Sequence, residues 1–229
     1  MSDLEDQKRR AAIRAVELVT DGMIVGLGTG STASYAVREI GLRVAQGLKI
    51  TATATSRATE DLARSLGIPL IAFSNLSSVD LAIDGADEID LTLRAIKGGG
   101  GALFREKIVA ASARRTVIIV DSTKPVAQLG RFKLPVEVHA FALKFVERAL
   151  GDLSLSITLR LDKQGKPFLT DQEQYIFDLS FGSIEDPEAL AERLDAIPGL
   201  IEHGLFLTEI DTLIVGEEGA VRIVERPTR

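Results

Sequence analysis

Short apolar runs alternate with helical segments through the first half of this chain, and each run ends in a loop of glycine, hydroxyl or carboxylate residues. No other feature restricts the fold as much. Residues 4–19 place Ile13, Val16, Leu18 and Val19 at helical spacing before Asp21-Gly22 breaks the run. A strand is expected over 23–27, a helix over 31–46 with Ser31 or Thr32 as its cap, and a β-branched strand over 50–55. The pattern then predicts a helix over 59–66, a strand over 79–83 ending at Asp84, a helix over 102–113 and a strand over 117–120 ending at Asp121. Strand–loop–helix order repeated this way predicts an α/β fold, a mostly parallel sheet with helices on both faces. Ligands of such sheets sit beyond the carboxyl ends of the strands. The loops at 28–32, 84–90 and 121–124 all fall there, so they are expected to converge on one cleft.

After residue 129 the rhythm changes. A strand is expected over 135–138, a helix over 141–150, and strands over 155–161 and 175–179 around a turn at Gln164-Gly165-Lys166-Pro167. A further helix over 187–196 has Asp186 as cap and Pro187 in its first position. Residues 213–215 and 221–224 read as strands returning to the main sheet. The expected division is 1–128 with 206–229 as the main domain, and 129–205 as a small α+β domain. No internal repeat interrupts the pattern.

Composition removes several function classes. The 229 residues include no cysteine, which excludes disulfides, thiolate catalysis and zinc–thiolate sites. A net charge of −6, no tryptophan and two tyrosines supply neither the basic stripe nor the stacking platforms of nucleic-acid binding. The charged opening segment has no apolar core of a secretory signal, and no apolar run approaches the roughly 20 residues that span a bilayer. The expectation is a cytoplasmic protein with neither nucleic acid nor membrane as partner.

Gly26-Leu27-Gly28-Thr29-Gly30-Ser31-Thr32 invites a nucleotide-binding reading that its details refuse. Ser31 stands where a dinucleotide fingerprint needs a third glycine, and Gly30 where a Walker loop needs lysine. Thr55-Ser56-Arg57 replaces the acid expected after the second strand, and Arg57 alone would suit a 2′-phosphate. What remains is a set of N–H and hydroxyl groups at a helix N-terminus, which suits a single phosphate. The plain alternative is a tight turn with no ligand. Asp84-Gly85-Ala86-Asp87-Glu88-Ile89-Asp90 carries four acids after an apolar strand. A solvated acidic turn is its plain reading, and a calcium loop lacks the required spacing and distal glutamate. Asp84 and Asp87, placed where a strand meets a cleft, suit sugar hydroxyls better.

Lys97-Gly98-Gly99-Gly100-Gly101-Ala102-Leu103-Phe104-Arg105-Glu106-Lys107 carries the most information. Each glycine costs about 0.5–1 kcal/mol relative to alanine in regular structure, so such a run fits where backbone must approach a ligand closely. Glu106 follows within about two helical turns. An arbitrary helix glutamate is solvated and paired with a neighbouring cation. Beside Lys97 and an oxyanion-binding loop, it is what enolisation chemistry requires. In Asp121-Ser122-Thr123-Lys124-Pro125, Lys124 either neutralises a phosphate or is a solvated loop lysine. His139 and His203 lie in no motif and read as structural.

Taken in order, these segments resemble the type A ribose-5-phosphate isomerase family. The resemblance continues through Leu134-Pro135-Val136-Glu137-Val138, Gly165-Lys166-Pro167-Phe168, Ile197-Pro198-Gly199 and Gly204-Leu205-Phe206, so it covers nearly the whole chain. It implies a Rossmann-like domain with a smaller inserted α+β (ferredoxin-like) domain, no cofactor or metal, and a homodimer or homotetramer. It implies conversion of ribose 5-phosphate to ribulose 5-phosphate in the non-oxidative pentose phosphate pathway. By the same resemblance Glu106 is the general base, while Asp84, Asp87 and Lys97 handle the sugar. Thr29, Gly30, Ser31, Thr32, Gly85, Ala86, Gly98, Gly99, Gly100 and Lys124 are then binding positions, and Lys8 is an N-terminal phosphate contact. The chain departs from the family at Phe104, where threonine is common, and at Asp171-Gln172-Glu173, where Asp-Asn-Gly is familiar.

The implied chemistry is ring opening aided by Asp84 or Asp87, removal of the C2 proton by Glu106, a cis-enediolate held by Lys97 and the glycine loop, and return of the proton to C1. Two rival classes are a sugar-phosphate sensor that binds without converting its ligand, and an acyl-CoA transferase with a glutamate nucleophile.

Overall fold

In chain order the elements of the first half are α1 (Asp3–Val16), β1 (Ile24–Leu27), α2 (Ser31–Ala45), β2 (Thr51–Ala54), α3 (Arg57–Ser65), β3 (Leu81–Asp84), β4 (Glu88–Ile89), β5 (Ala95–Ile96), α4 (Leu103–Ser112) and β6 (Thr116–Asp121). The second half adds β7 (Leu134–Val138), α5 (Leu143–Leu150), β8 (Ser156–Leu159), β9 (Tyr175–Ser180), α6 (Pro187–Asp195), β10 (Leu200–His203), β11 (Leu205–Phe206), β12 (Thr212–Glu217) and β13 (Ala220–Glu225). The computed structural model describes residues 3–151 and 153–226. Met1, Ser2, Asp152 and residues 227–229, which the expected domain ranges include, lie outside the described residues.

Six strands form the main sheet in the order β13-β12-β6-β3-β1-β2. All neighbours are parallel except β12 and β13. The α/β expectation holds, and residues 213–215 and 221–224 do rejoin this sheet. Both faces are covered, as β6 shows with its period of two. Val117 and Ile119 pack with Ala11, Ala15, Val37 and Ile40 of α1 and α2, whereas Ile118 and Val120 pack with Ala110 of α4 and with Ile89 and Phe206. Small residues bring α1 close: a Cβ at Gly216 of β12 would collide with the Gln7 backbone. Strand order reverses about β1, with β2 on one side and β3 on the other. That is the switch point at which α/β sheets bind ligands, and the loops after β1 and β3 flank it.

A second sheet, β10-β7-β9-β8, is antiparallel throughout. Helices α5 and α6 cover it through Val146, Leu150, Leu190 and Leu194, packed with Val136, Val138, Phe177 and Leu179. Asp186 caps α6 as expected, accepting the Ala189 N–H at 2.9 Å. A third sheet, β11-β5-β4, joins the two larger ones.

The sequence reading is corrected in two places. Strands β4, β5, β10 and β11 were not expected; three of them are two residues long, too short to show any period, and β10 carries an irregularity between Leu200 and Glu202. Neither Ser31 nor Thr32 caps α2. Both lie inside the helix, and Gly30, at φ 110°, precedes it without a side-chain bond.

The turn at Asp171-Gln172-Glu173 shows the consequence of its departure from Asp-Asn-Gly. Glu173 sits at φ 61°, the left-handed region that glycine adopts freely. The strain of a side chain there, about 1–2 kcal/mol, exceeds the extra chain entropy that glycine would lose, about 0.5–1 kcal/mol. Glu173→Gly is therefore expected to raise stability by about 0.5–1 kcal/mol in urea unfolding, with turnover unchanged.

Candidate active site

The loop after β1 and the end of β3 are locked by Asp84. Its Oδ1 accepts the N–H groups of Thr29 at 3.0 Å and Gly85 at 2.7 Å, and its Oδ2 pairs with Lys97 Nζ at 3.0 Å. Asp84 fits because Gly28 has no side chain; a Cβ there would collide with the carboxylate. Gly26 makes the matching space one pleat earlier, where a Cβ would come within 2.5 Å of Val109 on α4. The glycines of the first loop are thus required for room as much as for turning.

Lys97 follows β5, and its backbone N–H donates to Gly204 O at 2.9 Å. Its side chain is only 3% exposed. The ammonium donates to Gly85 O, stands 3.5 Å from Glu106 Oε2, and lies 5.3 Å from the centre of the Phe206 ring. Burial opposes its charge, but Asp84 and Glu106 more than offset this and hold its pKa above the ordinary lysine value. Glu106, in the first turn of α4, is buried, and its Oε2 has no hydrogen-bond partner among the described residues. Burial pushes its carboxyl up to about 8; Lys97 pulls it down, and the nearby Asp84 and Asp87 push it further up.

Asp87 accepts the Gly99 N–H at 2.8 Å, and burial raises its pKa against the pull of that N–H and of Lys97. The glycine run makes a tight turn, with Gly101 N–H donating to Gly98 O at 2.9 Å and positive φ at Gly98 and Gly101. Among the described residues the N–H groups of Gly98 and Gly100 donate to no protein acceptor.

Opposite stands the N-terminus of α2. Its first turn carries no acid, and its leading N–H groups have no acceptor within a helix. The Thr29 hydroxyl is braced from below by Thr55 at 2.7 Å and Ser56 at 2.8 Å, the residues that replace the acid of a dinucleotide site. Lys124 closes the far side, its loop fixed by Gln7, which accepts the Ser122 N–H at 3.0 Å.

Thr29, Gly30, Ser31, Thr32, Gly85, Ala86, Asp87, Lys97, Gly98, Gly99, Gly100, Glu106 and Lys124 line one cleft. Two expected residues do not. Asp84 lies beneath the cleft wall, its oxygens occupied by Lys97 and two N–H groups. Lys8 pairs with Glu5 at 2.7 Å, and Glu5 in turn accepts the Tyr35 hydroxyl at 2.6 Å. Phe104 is half-buried and lies outside the cleft lining.

The acidic run is not a solvated turn. Beyond Asp84 and Asp87, Glu88 accepts the Gly130 and Phe132 N–H groups at 2.8 and 2.7 Å, and Asp90 grips Arg94 at 2.8 Å. His203 is structural, as expected. It is buried and its pKa falls to about 3, through burial first and Lys107 second. Lys107 holds α4 to β10 through Glu202 at 2.6 Å and His203 O at 2.7 Å. Gln7, Glu88 and Lys107 all support the site, and the sequence assigns none of them that role, because each looks like an ordinary helix or loop polar residue. The one available signal was their place beside motif residues. Among the described residues no helix is long and apolar enough to cross a membrane.

Glu106 also makes stability depend on pH. Its carboxyl titrates near 4.5 when unfolded and near 8 when folded, so across that window the folded protein holds a proton the unfolded chain has released. Stability therefore falls as pH rises through the window, with the full loss present above 8. Each pKa unit is worth about 1.4 kcal/mol, so the loss is on the order of a few kcal/mol. Glu106→Gln is expected to lose less stability than wild type between pH 6 and pH 9, measured by urea unfolding at both.

The family profile of Ribose 5-phosphate isomerase A (phosphoriboisomerase A) matches residues 51–220. The Ribose-5-phosphate isomerase A of Sphingopyxis alaskensis is 54% identical over 226 residues, 99% of this chain and 99% of that one. A solved D-ribose-5-phosphate isomerase in complex with phospho-erythronic acid superposes with a TM-score of 0.94 at 35% identity, over 97% of this chain and 99% of that one. The ribose 5-phosphate isomerase A of Methanocaldococcus jannaschii gives 0.92 at 40% identity, over 96% and 99%.

Proposed function

The chain belongs to the ribose 5-phosphate isomerase A family, and we propose that Glu106 is the base with which it interconverts D-ribose 5-phosphate and D-ribulose 5-phosphate. It is an aldose–ketose isomerase. One observation supports the assignment above others: buried Glu106 lines the cleft, and its Oε2, without a hydrogen-bond partner among the described residues, stands 3.5 Å from the Lys97 ammonium. A carboxyl raised to about 8 by burial is a stronger base than a solvated one, and ionises near neutral pH.

In this reading the N-terminal N–H groups of α2 and Lys124 hold the phosphate. Asp87, which faces the cleft, assists opening of the furanose ring; Asp84 keeps Lys97 in place. Ionised Glu106 takes the proton from C2, and the C–H electron pair forms the cis-enediolate. Lys97 and the free N–H groups of Gly98 and Gly100 stabilise the oxyanion, each such donor being worth about 2.7–4 kcal/mol. Glu106 then delivers the proton to C1, while the proton of the C2 hydroxyl passes to O1, leaving the carbonyl at C2 and a hydroxyl at C1. The reading also takes the enzyme as cytoplasmic, as a homodimer or homotetramer, and as divided into 1–128 with 206–229 and 129–205. Neither the sensor nor the transferase reading is favoured, since full-length relatives carry the isomerase name.

Incubation with ribose 5-phosphate in deuterated water is expected to yield ketose carrying solvent deuterium. Glu106→Gln is expected to lose at least about 10²-fold in kcat with a modest change in KM. Near wild-type turnover in that variant rules out the assignment. Lys97→Met removes the cation that lowers the Glu106 pKa. Its kcat is expected to fall about 10²–10³-fold, and the acid limb of kcat/KM to move to higher pH.

A further inference from the structure

Arg160 follows β8 in the antiparallel sheet, outside the lining of the cleft. Its Nε and Nη2 grip Asp178 of β9 at 2.9 and 2.5 Å, a two-pronged pair that fixes the plane of the guanidinium. The remaining Nη1 crosses to the catalytic loop and donates to Gly98 O at 2.9 Å and Gly99 O at 3.3 Å. Its guanidinium also lies 6.0 Å from the centre of the Phe168 ring. That ring in turn sits under Gly101, where a Cβ would come within 2.6 Å of it. The small sheet therefore grips the glycine run at both ends.

A trans peptide points its C=O and its N–H in opposite directions. With the Gly98 and Gly99 carbonyls drawn toward Arg160, the Gly99 N–H points to Asp87 and the Gly100 N–H points away from the guanidinium, on a loop that lines the cleft. Glycines have no side chains to hold such an arrangement, and four in a row are otherwise free to turn their peptides over.

We infer that Arg160, fixed by Asp178, is a positioning residue of the isomerase that orients the glycine-loop peptides so that the Gly99 N–H holds Asp87 and the Gly100 N–H faces the developing enediolate. The inference rests on the reading of the cleft given above. It makes the small sheet part of the catalytic apparatus without contact with substrate.

The test compares Arg160→Gln, which cannot hold both carbonyls and Asp178 together, with Arg160→Lys, which keeps the charge but not the planar fork. For Arg160→Gln, kcat for ribose 5-phosphate is expected to fall about 10- to 100-fold with KM within about threefold. Affinity for phospho-erythronic acid, which carries a carboxylate as well as a phosphate, is expected to fall with kcat, while affinity for inorganic phosphate holds. Arg160→Lys is expected to recover only part of the loss. Amide hydrogen exchange at Gly99 and Gly101, whose N–H groups are hydrogen-bonded within the site, is expected to speed up in Arg160→Gln, a readout that needs no turnover. If the unpaired Asp178 prevents folding, Arg160→Gln/Asp178→Asn replaces the single variant. A folded variant with kcat and exchange at Gly99 and Gly101 unchanged overturns the inference, as does a loss confined to KM. Full turnover by Glu106→Gln removes the reading of the cleft instead, and the exchange rates still decide whether Arg160 holds the loop.

Discussion

A single ammonium buried among three carboxylates is the interaction on which the rest of this structure depends. Lys97 reaches Asp84 at 3.0 Å and Glu106 at 3.5 Å, and Asp87 adds to the field around it. Buried charges are tolerated only when paired and hydrogen-bonded. Asp84 meets that condition with two N–H donors and the lysine; Lys97 meets it with Asp84 and the Gly85 carbonyl. Glu106 does not: its Oε2 stands 3.5 Å from the lysine but has no hydrogen-bond partner among the described residues. The cluster is stable because two of its members are satisfied, and reactive because the third is not.

Glycine makes the cluster geometrically possible. Gly28 leaves room for the Asp84 carboxylate, Gly99 for that of Asp87, and Gly98 for Leu103, which begins α4. Only Gly98 and Gly101 of the run need a backbone that other residues avoid. At Gly99 the requirement is one of space: a side chain would come within 2.6 Å of the Asp87 carboxylate. The run is therefore a set of separate fits to separate neighbours, and its bareness is what makes an external clamp such as Arg160 effective.

Much of this was legible in the sequence, for definable reasons. The strands of the main sheet carry enough alternation or β-branching to announce themselves, and their carboxyl ends carry the motif loops. Glu106 and Lys97 stood out because they bracket the four glycines. Contacts that depend on the small sheet were not legible. Arg160 is 62 residues from Gly98, with no pattern linking them. Two-residue strands have no period to read, and the α2 cap went to Gly30 because its backbone, not a hydroxyl, makes the turn into the helix. Asp84 is expected to handle the sugar, and its bonds to Thr29, Gly85 and Lys97 add a second task that the sequence does not show: the terminal residue of a buried strand holds the loops around it.

Gly204 joins three distant stretches of chain. Its N–H donates to Pro135 O at 2.8 Å, its carbonyl accepts the Lys97 N–H at 2.9 Å, and the next two residues pair with Ile96 and Ala95. On the ribosome, Lys97 thus emerges more than 100 residues before its backbone partner. The parallel strands can begin to pair earlier, but β5 has no β11 and β6 no β12 until the insert has been made. A nascent chain made only as far as His203 would own every catalytic side chain and still lack the carbonyl that seats the lysine, so competence waits for Gly204.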